Sequence, residues 1–304
     1  MSSAIAVCVA THGRPIRLRW LLNALEEQTT RDFEVVVAHD AGPDSETERL
    51  LREHPVVTRH VTFSGEHGPA IKRNAAWRAS SAPYVAFTDD DCRPPEDWVE
   101  RAIAAARPGA IVQGRTRPDP DEAFLLRAPH ARSVWVDPPT ASAQTCNIVY
   151  PRDLLERASG FDDRAFPAWA AEDTDLAWRT GAPIVPAPEV LTFHCVEPIS
   201  FGRALRNAWR WRSLPKLVAR NPGLRRHMTL RVFWKRRHAL LLLAALTRHP
   251  LAAAAYAIDA LPSYGTGPRG LVRAASELPG QAAIDAVEVA GLALGSVRHR
   301  TLFL

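Results

Sequence analysis

Four short apolar runs, at residues 4–10, 33–38, 56–63 and 84–88, alternate with stretches of helical spacing, and this alternation limits the fold more than any other feature. In the first helical stretch Leu18, Leu21, Leu22 and Leu25 recur at intervals of three and four. Residues 45–53 and 70–79 read as two further helices. Strands alternating with helices predict an α/β chain whose mostly parallel sheet is flanked by helices. Ligands of such sheets bind beyond the carboxyl ends of the strands. Thr11, Asp40 and the triplet Asp89, Asp90 and Asp91 end these runs, so they are expected to converge on one rim.

The triplet is the strongest local feature. An isolated D-x-D reads as a solvated acidic turn. Three carboxylates directly after a buried strand repel one another unless a cation sits among them, and Mg²⁺ or Mn²⁺ suits such oxygen ligands. Alternation along an extended chain would turn Asp89 and Asp91 one way and Asp90 the other. Asp40, before a Gly-Pro turn, has an ordinary turn-forming reading as well. Lys72, Arg73 and Asn74 open a helix after Gly68-Pro69, which suits a diphosphate site or a solvated basic face.

The second half is less regular. Residues 118–139 are loop-rich in proline, 146–150 and 190–195 read as strands, and 173–179 as a short helix. Glu172, Asp173 and Asp175 could simply complement a helix dipole. His194 alone reads as a packed histidine.

Taken together and in order, these motifs resemble the family-2 glycosyltransferases with the GT-A fold. The parallels are Thr11-His-Gly-Arg14-Pro, Asp40, Gly68-Pro-Ala-Ile-Lys72-Arg73-Asn74, Asp89-Asp90-Asp91, Gly160-Phe161-Asp162, Glu172-Asp173-Thr-Asp175-Leu176 and His194, over roughly residues 4–197. The resemblance implies an inverting enzyme that moves a sugar from a nucleotide-sugar donor to an acceptor hydroxyl, with Mn²⁺ or Mg²⁺ as cofactor. It implies that Thr11, Arg14, Asp40, Lys72, Arg73, Asp89 and Asp90 bind the donor. Asp91, His194 and Asp89 would hold the metal. Asp173 would be the general base with Glu172 beside it, and Trp169 and Asn147 would lie on the acceptor side. His12-Gly13 and the Asp40-Ala-Gly-Pro turn depart from the usual family pattern.

Residues 198–258 contain thirteen Lys and Arg and no Asp or Glu, so with +5 overall the remaining chain carries −8. A basic stretch of this kind seeks an anionic partner. Leu240 to Leu243 lie in an apolar segment that Arg248 interrupts, too short for the roughly 20 residues of a spanning helix. Arg, Trp and Leu interleaved on helices suit a membrane interface, and no nucleic-acid module is recognisable. The expected organisation is therefore a GT-A-like catalytic domain at residues 1–197 and a basic helical region at 198–304 on an anionic membrane surface. The acceptor would be lipid-linked or an envelope glycan. Four scattered cysteines without a C-x-x-C pair, and a start lacking a basic leader, predict a reducing compartment, no signal peptide and a peripheral place on the inner face of the cell membrane. The alternatives are a nucleotidyltransferase and a catalytically inactive sugar-nucleotide-binding membrane scaffold.

Overall fold

A computed structural model describes residues 3–167, 170–261 and 267–304. Strand β1 (Ile5–Thr11) is central because both of its faces are apolar. Ile5, Val7 and Val9 enter one core with Leu18, Leu21, Leu22 and Leu25 of α1 (Pro15–Glu26), whereas Ala6 and Cys8 enter the opposite core with Trp77 and Phe87. The two-residue period of a strand thus divides one run between two cores.

The eight-stranded sheet runs β3-β2-β1-β4-β7-β6-β8-β5. Here β2 is Phe33–His39, β3 Arg59–Thr62, β4 Tyr84–Asp89, β5 Cys92–Arg93, β6 Ile111–Pro118, β7 Asn147–Pro151 and β8 Ile184–His194. Helices α2 (Glu46–Glu53), α3 (Pro69–Arg78), α4 (Trp98–Ala105), α5 (Arg152–Arg157) and α6 (Glu172–Thr180) connect them. The pairings among β3, β2, β1 and β4 are parallel, as is β6 with β8, but β7 runs antiparallel to β4 and β6, and β5 antiparallel to β8. The sheet is therefore mixed, with its continuous parallel run in the first half and one further parallel pair, β6 with β8, in the second.

That mixture positions the site. Beyond Asp91 the chain turns back into β5, where Cys92 pairs with His194, so the end of β8 lies against the acidic triplet. Strand β6 bulges between Gly114 and Arg115. A Cβ on Gly114 would stand 2.4 Å from both Asn147 Nδ2 and Val190 O, so only glycine lets these strands close. All four cysteines are buried free thiols.

The chain forms two compact units, residues 3–126 with 132–197, and 127–131 with 198–304. The second is helical: α7 (Phe201–Trp209), α8 (Leu214–Arg220), α9 (Arg236–Thr247), α10 (Pro250–Ala260) and α11 (Pro268–Arg298). Gly295 lets α11 approach residues 212–215 closely, since a Cβ there would meet Arg212 O at 2.2 Å. Among the described residues, no helix is long and apolar enough to cross a membrane.

Candidate active site

The parallel strands deliver their ends to one rim, and the acidic side chains there are held by cations of the chain itself. Thr11 Oγ1 donates to Asp90 Oδ2 at 2.6 Å. Asp90 is fully buried, and Arg14 pairs with both Asp90 and Asp91. The expected alternation of the triplet is thus corrected: the chain leaves its extended conformation after Asp89, and Asp90 and Asp91 turn toward the same guanidinium. Burial, only partly offset by Arg14, raises the Asp90 carboxyl to about 6.

Lys72 and Arg73 are buried, which excludes a solvated basic face. Lys72 Nζ donates to Asp40 Oδ2 at 2.9 Å and Thr11 O at 3.0 Å, tying β1, β2 and α3 together. Asp40 also accepts from the His67 N–H at 2.9 Å and pairs with His12 Nδ1 at 2.8 Å. Burial alone would raise its carboxyl, yet the donors from His67, Lys72 and His12 hold it at about 2. Arg73 spans Asp89 Oδ1 at 2.8 Å and Glu172 Oε1 at 3.0 Å, joining the end of β4 to the start of α6.

Ala171, the residue before α6, sits in the left-handed region at φ +79°. A non-glycine residue there costs about 1–3 kcal/mol and persists only where its surroundings enforce it. Glu172 is part of that enforcement, because its Oε2 accepts from the Ala170 N–H at 2.9 Å. Asp173 follows in the first turn. Burial and the neighbouring Glu172 raise its carboxyl to about 7 despite Arg73. A carboxylate tuned to neutrality is suited to taking a proton. Asp175, by contrast, is buried against Arg179 Nε at 2.7 Å, and Arg179 in turn donates to the Ala158 and Gly160 carbonyls.

Whether a cation fits is decided at Asp91 and His194. His194 Nδ1 lies 3.1 Å from the Cys195 carbonyl, which can only accept, so the proton belongs on Nδ1. In the neutral ring the lone pair of Nε2 then faces Asp91 Oδ1 at 3.4 Å, and that buried oxygen accepts no hydrogen bond. Two acceptors facing each other across such a gap are what a metal ion would reconcile. Arg14 pairs with Asp91 Oδ2, and the Cys195 thiol donates to the same oxygen at 3.2 Å, so Oδ1 is the oxygen left for a ligand. Cys92 completes the cluster spatially, yet burial pushes its thiol far up and its Sγ lies 3.6 Å from Cys146 O, so it stays a thiol. Asp91 and His194 therefore fit a divalent cation, with Asp89 at the edge on Arg73. The group His39, Glu48 and His60 fits less well, because the Ala41 N–H donates to His39 Nδ1 and leaves Nε2 to donate to Thr62 Oγ1 at 3.0 Å.

Of the acceptor-side residues, Trp169 lies outside the described residues. Asn147 is not brought to the rim. It is buried, donating to Arg115 O and Val190 O and accepting from Trp98 Nε1, and so clamps the β6 bulge. Asn74, beside Arg73, is a second clamp: it donates to Phe161 O and accepts from the Phe161 N–H. Sequence reasoning missed these clamps because a polar side chain near a strand end looks the same whether it faces ligand or backbone. It also missed Trp135, exposed two residues from Ser133, whose hydroxyl donates to His194 O, and stacked 4.4 Å from Arg117.

Residues 6–157, half of the chain, match the family described as Glycosyl transferase family 2. The chain belongs to glycosyltransferase family 2. Validoxylamine A glucosyltransferase of Streptomyces hygroscopicus subsp. jinggangensis is 28% identical over 222 residues, 60% of this chain and 52% of that protein. The chain thus matches about half the length of that curated relative. Glycosyltransferase AglE of Haloferax volcanii is 22% identical over 226 residues, covering 68% of this chain and 71% of that protein. In fold, this family-2 chain resembles the Pyrobaculum calidifontis mannosyltransferase PcManGT, solved in complex with GDP-Man and Mn²⁺, at TM-score 0.57 and 21% identity over 99% of this chain and 88% of that one. It also resembles S. aureus TarS at TM-score 0.52 and 16% identity, over 95% of this chain and 55% of that one.

Proposed function

We propose that this family-2 glycosyltransferase moves a sugar from a nucleotide-sugar donor to an acceptor hydroxyl with inversion, aided by Mn²⁺ or Mg²⁺. The observation that carries the reading is the pair of facing acceptors, Asp91 Oδ1 and His194 Nε2, on the same rim as a carboxylate poised at about 7, Asp173. Asp91 and His194 would hold the cation. When bound, the metal supplies charge neutralisation for the departing diphosphate. Thr11, Arg14, Asp40 and Lys72 line the donor end, and Arg73 fixes Asp89 there while pinning Glu172 beside the base. Asp173 takes the proton of the acceptor hydroxyl as that oxygen bonds to the anomeric carbon. The carbon–oxygen bond to the diphosphate breaks on the opposite face. A single displacement without a protein nucleophile inverts the anomeric centre.

Residues 1–197 would form the catalytic domain and 198–304 a basic region at an anionic membrane surface, on the inner face of the cell membrane. A lipid-linked or envelope-glycan acceptor would be presented there. Family membership favours sugar transfer over nucleotidyl transfer. The test is to incubate the protein and Mn²⁺ with a panel of nucleotide sugars and simple glycosides, and to identify the released product. A nucleoside diphosphate with an inverted glycoside is expected; pyrophosphate, or a product of retained configuration, would overturn the mechanism.

A further inference from the structure

The helical unit carries an apolar surface where a water-facing hairpin would be polar. On α10, Ala252, Tyr256 and Ala260 recur every four residues and are buried, whereas Leu251 and Ile258 on the other side are 72% and 65% exposed. On α9, His238 is buried while Leu243 and Leu246 are 50% and 82% exposed. The ionisable groups near the hairpin's base are turned inward. His238 Nε2 lies 3.0 Å from Glu288 Oε2, Lys235 donates to the same oxygen at 2.6 Å, and Tyr256 donates to Asp285 at 2.9 Å. Charges satisfied inside and leucines outside mark a face that expects an apolar partner.

Length and charge indicate which partner. Twelve and eleven residues make helices of about 18 and 16 Å, roughly half of a bilayer's hydrocarbon core. Upright insertion would also drive Arg248, at the turn between them, to the deepest point, which lipid disfavours. Lying flat removes that conflict. Arg236, seven residues before Leu243, stands at one end of the outward stripe of α9, and Arg248 stands just past the other. Asp259, the one acidic residue of the hairpin, pairs with Arg236 at 3.2 Å, so it presents no unpaired carboxylate to repel lipid phosphates.

We propose that the α9–α10 hairpin is the membrane-insertion element. It lies in the plane of an anionic bilayer with Leu243, Leu246, Leu251 and Ile258 in the acyl boundary and Arg248 on lipid phosphates. The inference rests on the membrane-surface reading above and assigns it to one segment. It also gives the unit's inward charges a purpose, because they spare the buried side of the hairpin any contact with lipid.

The test is co-sedimentation of the full chain with phosphatidylglycerol–phosphatidylcholine vesicles at low salt. The double variant Leu246→Glu/Ile258→Glu should lose more than about ten-fold in partitioning, since each puts a charge where an apolar side chain would enter the lipid. Arg248→Gln should lose about five-fold, the share of one basic residue at the surface. Unchanged helicity and cooperative melting confirm that the variants fold. As a second readout, Leu246→Cys carrying an environment-sensitive dye should shift to the blue on vesicles, the native cysteines being buried. If the wild type binds vesicles and the double variant binds equally well, the hairpin assignment is overturned and the membrane reading stands. If the wild type does not bind, both fall. If the wild type is a dimer in lipid-free buffer that the double variant breaks, the face joins two copies and the proposal is overturned.

Discussion

Arg73→Met removes the guanidinium that joins Asp89 to Glu172, at 2.8 and 3.0 Å, while keeping a side chain of similar length. Both Arg73 and Glu172 are buried, so the substitution strands a carboxylate inside the fold. Breaking a buried pair by deleting one partner costs about 3–5 kcal/mol. Asp89 is partly exposed and adds little to that figure. At roughly 2–4 °C per kcal/mol for a unit of this size, the melting temperature should fall by about 10 °C. The assay is urea unfolding of the metal-free protein at pH 7.5 and pH 5, following a signal from the catalytic unit. The loss should shrink toward pH 5, where Asp173 beside the broken pair is protonated and no longer gains from Arg73. Arg73 also helps to hold Asp173 down, so the variant's Asp173 should titrate above about 7. A stability change below about 1 kcal/mol at pH 7.5, or one that grows toward pH 5, refutes the reasoning.

Three further outcomes follow from the same geometry. Asp173→Asn should lower kcat by about 10²–10⁴ with donor binding kept, and because the base works ionised, wild-type kcat should rise with pH through about 7, a profile the variant lacks. Gly160→Ala should cost about 2–4 kcal/mol by urea unfolding, because φ is +72° and the new Cβ would meet Asn74 Oδ1 at 2.3 Å. Asp40, held at about 2 against an unfolded value of 3.8, gives stability that is complete above pH 3.8 and lost as pH falls through 2. Asp40→Asn should therefore remove about 2 kcal/mol at neutral pH and flatten that acid limb in stability measurements.

The ends of β1, β2 and β4 were legible because each is an apolar run stopped by polar residues, a pattern that fixes both the strand and its rim. Strand β6 was not, since Gln113, Gly114, Arg115 and Arg117 dilute its apolar content. Gln113 is nonetheless buried, its amide satisfied by Thr140 and Gln144 far along the chain. Strand β5 is too short to leave any pattern, yet its pairing carries Asp91 to His194. The mixed character of the sheet was hidden for the same reason: strand direction is set by connections through a proline-rich loop region that has no periodicity. Within the site, the residue types were readable and their partners were not. Arg14 was readable as a rim cation but not its pairing with Asp90 and Asp91, and Asn147 looked like a rim residue and closes a bulge.

With Asp91 and His194 holding the cation as proposed, donor binding depends on metal. The most direct test is calorimetric titration of the wild type and Asp91→Ala with UDP, GDP and dTDP, each with Mn²⁺, with Mg²⁺ and with EDTA. The wild type should bind one nucleotide only when the cation is present, and Asp91→Ala should lose this binding while remaining folded. Equal binding in EDTA, or undiminished binding by Asp91→Ala, would contradict it.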